Sequence, residues 1–384
     1  MVRTTRDYRF ELLRLIAMLL IVATHFFASD NWAVRTNGNL ANTWQSAFHD
    51  SLTMFGQVGV ALFVLISAFF MATSHASPAR RLRRLWIQVF IYSAGALAAY
   101  TILLRLNLLP ESTIVDLSLG EVVISVMPVI FNAYWFISAF FVMSVLGPFI
   151  NTLFDHLTRK RTYEFTGIML ALTFLWRLAN PRVPYFNDAL YLCTLYILGC
   201  TIRRYAQSMP KIRAFQVVLV VVGGFALCVA GTYVIKNSAM LLALGYPANL
   251  ITSGPGSTPI PAICAATAVF LHLAQRSTGQ SADSSPANTR KQRKQPGGIA
   301  ARSILALSPA TLGIYLIHEN FLLKPVLWSM VFTHAEPNGP MAKTLFAVAA
   351  IAAIYLMLLV ISLVIHHLVV RPITTLTDNI LNRQ

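Results

Sequence analysis

The chain has 384 residues, of which 56% are hydrophobic and only 11% are charged. Soluble globular domains carry about 25% charged residues, so the composition excludes a soluble protein and indicates an integral membrane protein. The formal net charge of +16 does not indicate a nucleic-acid partner, because lysine and arginine collect in the cytoplasmic loops of membrane proteins. The four cysteines lie in apolar runs and indicate neither a disulfide framework nor a metal site.

Ten apolar segments predict an all-α, polytopic protein with about ten transmembrane helices, since roughly 20 helical residues cross a bilayer. They lie at residues 10–28, 53–73, 86–104, 133–153, 164–178, 188–203, 215–235, 257–274, 305–332 and 343–370. With the amino terminus inside, 22 lysines and arginines fall on the cytoplasmic side and 7 on the other. This asymmetry predicts that both termini are cytoplasmic. The whole chain, 1–384, is interpreted as one transmembrane domain.

Two loops differ in composition from the spans. Residues 275–302 are rich in serine, glycine, proline and basic residues, which predicts a disordered cytoplasmic loop. Its basic cluster is either a solvated tether or a contact with anionic lipid headgroups. The outer loop at 29–51 contains Trp32, Trp44, His49 and Asp50. It is either part of an acceptor site or an aromatic anchor at the membrane interface.

The first apolar segment contains two ionisable residues, Arg14 and His25. Such residues are costly in a membrane span and mark a candidate functional site. Eleven residues bring a helix almost back to its starting angle, so both side chains share one face, roughly 16 Å apart along the axis. Glu11 lies three residues before Arg14, where it can pair with the guanidinium. The alternative interpretation is a buried structural pair without a catalytic role.

Several ordered motifs resemble one family of membrane proteins. They are Glu11-x-x-Arg14 with His25, the stretch at 59–69, Arg81 with Arg84, Tyr134-Trp135-Phe136 leading to Gly147-Pro148, and the stretches at 195–199 and 312–318. In this order and across nearly the whole chain, they resemble the membrane-bound acyltransferase-3 family, whose signature is an arginine and a histidine separated by ten residues. The resemblance is closest to the branch that includes the enterobacterial common antigen O-acetyltransferase.

The resemblance implies an O-acyltransferase of the inner (cytoplasmic) membrane, without a permanently bound cofactor. It implies transfer of an acyl group, most often acetyl from acetyl-CoA, to a hydroxyl of an envelope polysaccharide or lipid-linked sugar. Acyl transfer needs a base, and neutral imidazole is suited to that role near pH 7. His25 is therefore either the base or a transient acyl carrier. Arg14 supplies a cation for a phosphate or a developing oxyanion.

Four further residues are candidates through the same resemblance. Arg81 and Arg84, before the third span, would bind the phosphates of CoA, or else are ordinary cytoplasmic charges. Trp135 would pack against the adenine or pantetheine of the donor, or else belongs to the interfacial aromatic belt. Ser67 lies in the family's second-helix stretch, where Ala68 replaces the usual glycine and weakens the case for Ser67.

His318 and Glu319 lie near the middle of the predicted ninth span. A histidine and a glutamate at this depth are unlike lipid-facing residues. His318 is predicted to line the same interior path as Arg14 and His25. The alternative is a hydrogen bond between helices.

Two other classes of function compete with the enzyme. Buried charges in a ten-helix protein also suit a transporter or flippase for a lipid-linked glycan, although no repeated halves are visible in the sequence. A non-catalytic membrane component of a polysaccharide synthase is the other possibility. Coupling to a thioester donor distinguishes the enzyme from both.

Overall fold

The structure is a computed structural model. It describes residues 7–30, 32, 35–36, 39–40, 42–74, 77–182, 187–254, 257–282, 298–332 and 337–381. The described part is helical apart from its loops and one antiparallel pair of two-residue strands, β1 (Arg35–Thr36) and β2 (Asn39–Leu40). The predicted all-α class is therefore confirmed.

The helices follow one another in this order: α1 (Tyr8–Ser29), α2 (Trp44–Ser51), α3 (Met54–Met71), α4 (Ala79–Arg105), α5 (Leu119–Val126), α6 (Trp135–His156), α7 (Arg159–Leu170), α8 (Trp176–Ala179), α9 (Asp188–Tyr205), α10 (Ala214–Asn237), α11 (Ala239–Ala243), α12 (Ile260–Ala282), α13 (Ile299–Leu307), α14 (Thr311–His318), α15 (Leu323–Phe332), α16 (Pro340–Ile365) and α17 (Arg371–Leu381). A π-helical turn joins α7 to α8 and another joins α16 to α17.

The chain forms two compact units. The first comprises Met1–Ala28, Trp32–His75 and Leu146–Ser308, and the second comprises Ser29–Asn31, Ala76–Val145 and Pro309–Gln384. Each unit contains part of the predicted polar residues.

Close helix contacts at glycines organise the first unit. A Cβ atom added at Gly59 of α3 would lie 2.5 Å from the carbonyl oxygen of Ala17 in α1. A Cβ atom added at Gly199 of α9 would lie 2.5 Å from the Cβ of Ala68 in α3. Both separations are far below van der Waals contact, so only glycine lets α3 approach α1 and α9 this closely.

The second unit is built around buried polar contacts between α4, α14 and α16. The hydroxyl of Ser362 in α16 donates to the carbonyl of Ala310 over 2.7 Å and lies 3.1 Å from the hydroxyl of Tyr92 in α4. Gly313 of α14 faces both hydroxyls, so a side chain there would displace them. A separate apolar cluster includes Tyr100 and Leu322.

Within the described residues, seven helical stretches are long and apolar enough to cross a membrane. They are Tyr8–Ser29, Trp44–Met71, Ala79–Arg105, Trp135–His156, Ala214–Asn237, Ile299–His318 and Pro340–Leu381. A multi-pass membrane protein is confirmed. Three of the ten predicted spans are not among these stretches. They correspond to α7 together with α8, to α9 and to α12, so the number of ten is not confirmed.

Two predicted segments were wrong in part. The ninth span, 305–332, is not continuous, because α14 ends at His318 and α15 begins at Leu323. The loop predicted at 275–302 is shorter than expected, because α12 extends to Ala282 and α13 begins at Ile299. The basic cluster at 290–294 lies outside the described residues.

Candidate functional site

The amino-terminal half of α1 contains a buried ion pair. Nη1 of Arg14 donates to both carboxylate oxygens of Glu11, at 2.9 and 3.0 Å. Glu11 is buried, and 26% of the Arg14 side chain is exposed. The pairing expected from the three-residue spacing is therefore present. It fixes the orientation of the guanidinium.

Arg14 keeps hydrogen-bonding capacity after this pairing. A guanidinium has five N–H donors in one plane, and Glu11 occupies Nη1. Within the described residues, Nε and Nη2 of Arg14 have no hydrogen-bond partner. Because the side chain is also partly exposed, these donors can bind an oxyanion or a phosphate.

His25 lies near the opposite end of α1 and is half-buried. Its neighbours Thr24 and Phe26 are buried in the first unit. The hydroxyl of Thr24 donates to the carbonyl of Thr53 over 3.3 Å, and the ring centroid of Phe26 lies 5.6 Å from that of Trp32. These contacts set the rotation of α1 and hence the direction of His25.

The outer loop is attached to the first unit by a second ion pair. Lys236 of α10 is only 8% exposed and donates to Asp50 and, over 2.8 Å, to Ser46 in α2. The ring of Trp44 stacks on Tyr233 with 3.8 Å between centroids. The ring of Trp44 therefore packs against the protein. An acceptor site in this loop stays a prediction. The sequence does not predict the pair of Lys236 with Asp50, since nothing local signals a partner 186 residues away.

In the second unit, His318 is the last residue of α14 and is fully buried. Its Nδ1 lies 2.7 Å from the carbonyl oxygen of Ile314. A carbonyl only accepts hydrogen bonds, so Nδ1 carries a proton, and Nε2 presents a lone pair whenever the ring is neutral. Next to it, Glu319 pairs with Lys324 over 2.8 Å. The unit thus contains a potential base beside an ion pair.

The break after His318 is stabilised by two residues absent from the predicted site. Asn320 is fully buried, and its Oδ1 accepts from the backbone N–H groups of Leu322 and Leu323 at 3.0 and 3.2 Å. Its Nδ2 donates to the hydroxyl of Tyr134 over 2.8 Å, which in turn donates to the carbonyl of Leu316 over 3.1 Å. An asparagine is a preferred residue before a helix, and that preference was the available sequence signal.

The other predicted site residues have local partners. The hydroxyl of Ser67 donates to the carbonyl of Phe63 in its own helix over 2.8 Å. Trp135 is half-buried and meets Phe136 edge to face, with 5.9 Å between ring centroids. Neither contact tests a role in catalysis or donor binding.

The arginines before the third predicted span are paired differently from the expectation. Arg83 and Arg84 of α4 both bind Asp378 of α17, whose side chain is 8% exposed. Arg83, which is not among the predicted site residues, thus shares the carboxylate of Asp378 with Arg84. Arg81 is half-buried and has no ion pair among the described residues.

Comparison with known proteins identifies the family. The chain matches the family described as an acyltransferase domain, of the acyltransferase-3 type, over residues 7–367. No curated protein and no solved structure matches the chain. The match covers nearly the whole chain, and the helices include several that are apolar enough to cross a membrane. The chain therefore belongs to the acyltransferase-3 family and is a multi-pass membrane acyltransferase.

Proposed function

We propose that the protein is an O-acyltransferase that moves an acyl group, acetyl in the first instance, from acyl-CoA to a hydroxyl of an envelope polysaccharide or lipid-linked sugar. The observation that supports this most directly is the arrangement of α1. Arg14 is oriented by Glu11 and retains donors that have no partner among the described residues, and His25 follows eleven residues later on the same face. The proposed enzyme belongs to the branch of the family that includes the enterobacterial common antigen O-acetyltransferase.

His25 acts on the acceptor in the proposed reaction. Its neutral imidazole removes the hydroxyl proton while the oxygen attacks the thioester carbonyl. The carbon–sulfur bond then breaks, an oxygen ester forms, and the thiolate of CoA leaves and takes up the proton. In the alternative route, the imidazole first accepts the acyl group and passes it to the hydroxyl.

Arg14 stabilises negative charge in this proposal, either on the tetrahedral intermediate or on a phosphate of the donor. Arg14 and His25 are separated by roughly 16 Å along the helix. That separation favours a donor that enters from the cytoplasmic end of α1 and an acceptor that approaches from the other end.

The remaining candidates have supporting roles. His318 presents Nε2 as a base or hydrogen-bond acceptor, and Glu319 with Lys324 sets the local charge. Arg81 binds a donor phosphate more readily than Arg84, because Asp378 already neutralises Arg84. Trp135 packs against the donor. The hydroxyl of Ser67 is the weakest candidate, since it is already bonded to Phe63.

The proposed topology has ten crossings with both termini cytoplasmic, in the inner membrane. Seven crossings are the long apolar stretches, and the other three are residues 159–179, Asp188–Tyr205 and Ile260–Ala282. These three are about 27–34 Å long at 1.5 Å per residue, which suits a bilayer core of about 30 Å. The excess of basic residues on alternate loops supports the orientation.

Family membership favours this enzyme over a flippase or a non-catalytic component. The test uses membranes that contain the protein, incubated with acetyl-CoA labelled in the acetyl group. Label is followed into the envelope glycan fraction for the wild type, His25→Ala and Arg14→Ala. His156→Ala is the matched histidine control, because His156 is exposed and bonded to its own helix.

We expect label in the wild type and in His156→Ala, and a loss of about a hundredfold or more in His25→Ala and Arg14→Ala at equal expression. Persistence of label in His25→Ala would contradict the mechanism. Absence of label in the wild type would contradict acetyl-CoA as the donor.

A further inference from the structure

Arg203 lies near the end of α9 in the first unit and is not among the predicted site residues. Its guanidinium carbon lies 4.6 Å from the ring centroid of Phe69 in α3. Phe69 is buried, and its ring centroid lies 5.4 Å from that of Phe10 and 5.6 Å from that of Phe270. The guanidinium therefore rests on a fixed aromatic surface, which restricts its orientation.

The next residue, Arg204, also lies over an aromatic ring, that of Phe154, but it has a carboxylate partner. Its Nη2 pairs with Asp155 over 2.7 Å and donates to the carbonyl of Asn151 over 3.4 Å. Arg203 makes no hydrogen bond and no ion pair with any residue that the structure describes. Two adjacent arginines thus differ in one respect: one is neutralised by a carboxylate and the other is not.

The acidic residues of the first unit explain this difference. Of the six that the structure describes, five pair with basic residues other than Arg203: Asp7 with Arg9, Glu11 with Arg14, Asp50 with Lys236, Asp155 with Arg204, and Glu164 with Lys160 and Arg161. The sixth, Asp188, begins α9, about 22 Å along the helix axis from Arg203. Arg203 is half-buried and has no counter-ion among the described residues of its unit, an arrangement that favours binding of an external anion.

The shape of the guanidinium indicates which kind of anion would bind to Arg203. The guanidinium carbon lies over the ring of Phe69, and no residue that the structure describes accepts from its N–H groups, which are therefore the donors left for a ligand. A planar fork of this kind matches two oxygens of a phosphate. Phe10, which contacts Phe69, lies in the first turn of α1. The site is therefore beside the start of α1, and Arg14 follows one turn further along that helix.

We propose that Arg203 binds a phosphate group of the acyl-CoA donor in the first unit. The inference rests on the proposed function for the identity of the donor. A phospholipid headgroup carries the same phosphate chemistry, so the experiment separates the two sources.

The test measures the dissociation constants of CoA and of pantetheine, which lacks the phosphates, for the purified protein in a phosphate-free maltoside detergent. The variants are Arg203→Gln and Arg203→Lys, with Arg204→Gln as the matched control. We expect Arg203→Gln to weaken CoA binding about tenfold and to leave pantetheine binding unchanged, since a phosphate contact is lost. Arg203→Lys keeps the charge but not the fork, and we expect an intermediate loss. Arg204→Gln should leave the ratio of the two constants unchanged.

A second arm adds phosphatidylglycerol and measures the shift of the unfolding temperature. If Arg203→Gln abolishes a lipid-induced shift and leaves CoA binding intact, the phosphate comes from a headgroup and the donor assignment is overturned. If Arg203→Gln and Arg203→Lys both change neither measurement, phosphate binding itself is overturned. CoA binding that depends on Arg203 in a protein that transfers no acetyl group would support the inference and contradict the proposed function.

Discussion

The side chain of Asn320 connects the break after His318 to Tyr134, the residue just before α6. Its Nδ2 donates to the hydroxyl of Tyr134 over 2.8 Å, while its Oδ1 accepts from the backbone N–H groups of Leu322 and Leu323 at the start of α15. Tyr134 and Asn320 are 186 positions apart in the chain. Both are buried. One amide therefore satisfies a helix start and a tertiary contact at the same time.

The first prediction concerns this contact. Tyr134→Phe and Asn320→Ala should each lower the free energy of unfolding by about 1–2 kcal/mol, because each leaves a buried polar group without its partner. Both should also reduce acyl transfer, since the break positions His318 and Glu319. Thermal unfolding in detergent and transfer of labelled acetyl measure the two effects. The double variant should lose less than the sum of the single losses.

Tyr92→Phe is the control for this pair. Tyr92 is another buried tyrosine of the second unit, and its hydroxyl contacts Ser362. It should lose stability and keep transfer activity per folded molecule. An equal loss of transfer in Tyr92→Phe and Tyr134→Phe would contradict a positioning role for Tyr134.

A second prediction concerns the orientation of Arg14. Glu11→Gln removes the charge of the carboxylate but keeps its size, so Arg14 remains cationic and is less firmly oriented. We expect about a tenfold loss of transfer, smaller than the loss of about a hundredfold in Arg14→Ala. Asp7→Asn is the matched control, because Asp7 pairs with Arg9 just before the apolar run. Similar losses in Glu11→Gln and Asp7→Asn would point to a general effect on α1.

A third prediction concerns the contact between α3 and α9. A methyl group at Gly199 would lie 2.5 Å from the Cβ of Ala68, so Gly199→Ala should destabilise the protein by about 1–3 kcal/mol through overpacking. Ala68→Gly removes the opposing methyl group. The double variant should therefore recover part of the unfolding temperature. A double variant that is less stable than Gly199→Ala would show that the two residues do not share this contact.

A fourth prediction concerns the attachment of α17 to α4. Asp378→Asn leaves Arg83 and Arg84 without their carboxylate. The arginines are partly exposed, so we expect only a modest loss in the free energy of unfolding. Hydrogen exchange of residues 371–381 should become faster. The exchange of α10 serves as the internal reference. Unchanged exchange in α17 would mean that its apolar contacts alone attach it.

The sequence by itself determined the features that depend on local geometry or on composition. A helix places residues three positions apart on one face, so the pairing of Glu11 with Arg14 was predictable. Long runs without charged residues indicate a membrane protein, because a charged side chain is costly inside a bilayer. The family resemblance was also visible in the sequence, because each of its motifs is a short continuous stretch of the chain.

Only the tertiary structure decided the contacts between distant parts of the chain. Asp378 binds Arg83 from 295 positions away, and Lys236 binds Asp50 from 186 positions away. The break at 319–322 depends on Tyr134 and Asn320 together, although each lies in a stretch that resembles an uninterrupted apolar helix. Periodicity identifies which face of a helix is polar, but the partner of each polar group is chosen by packing, because many faces of similar chemistry compete for it.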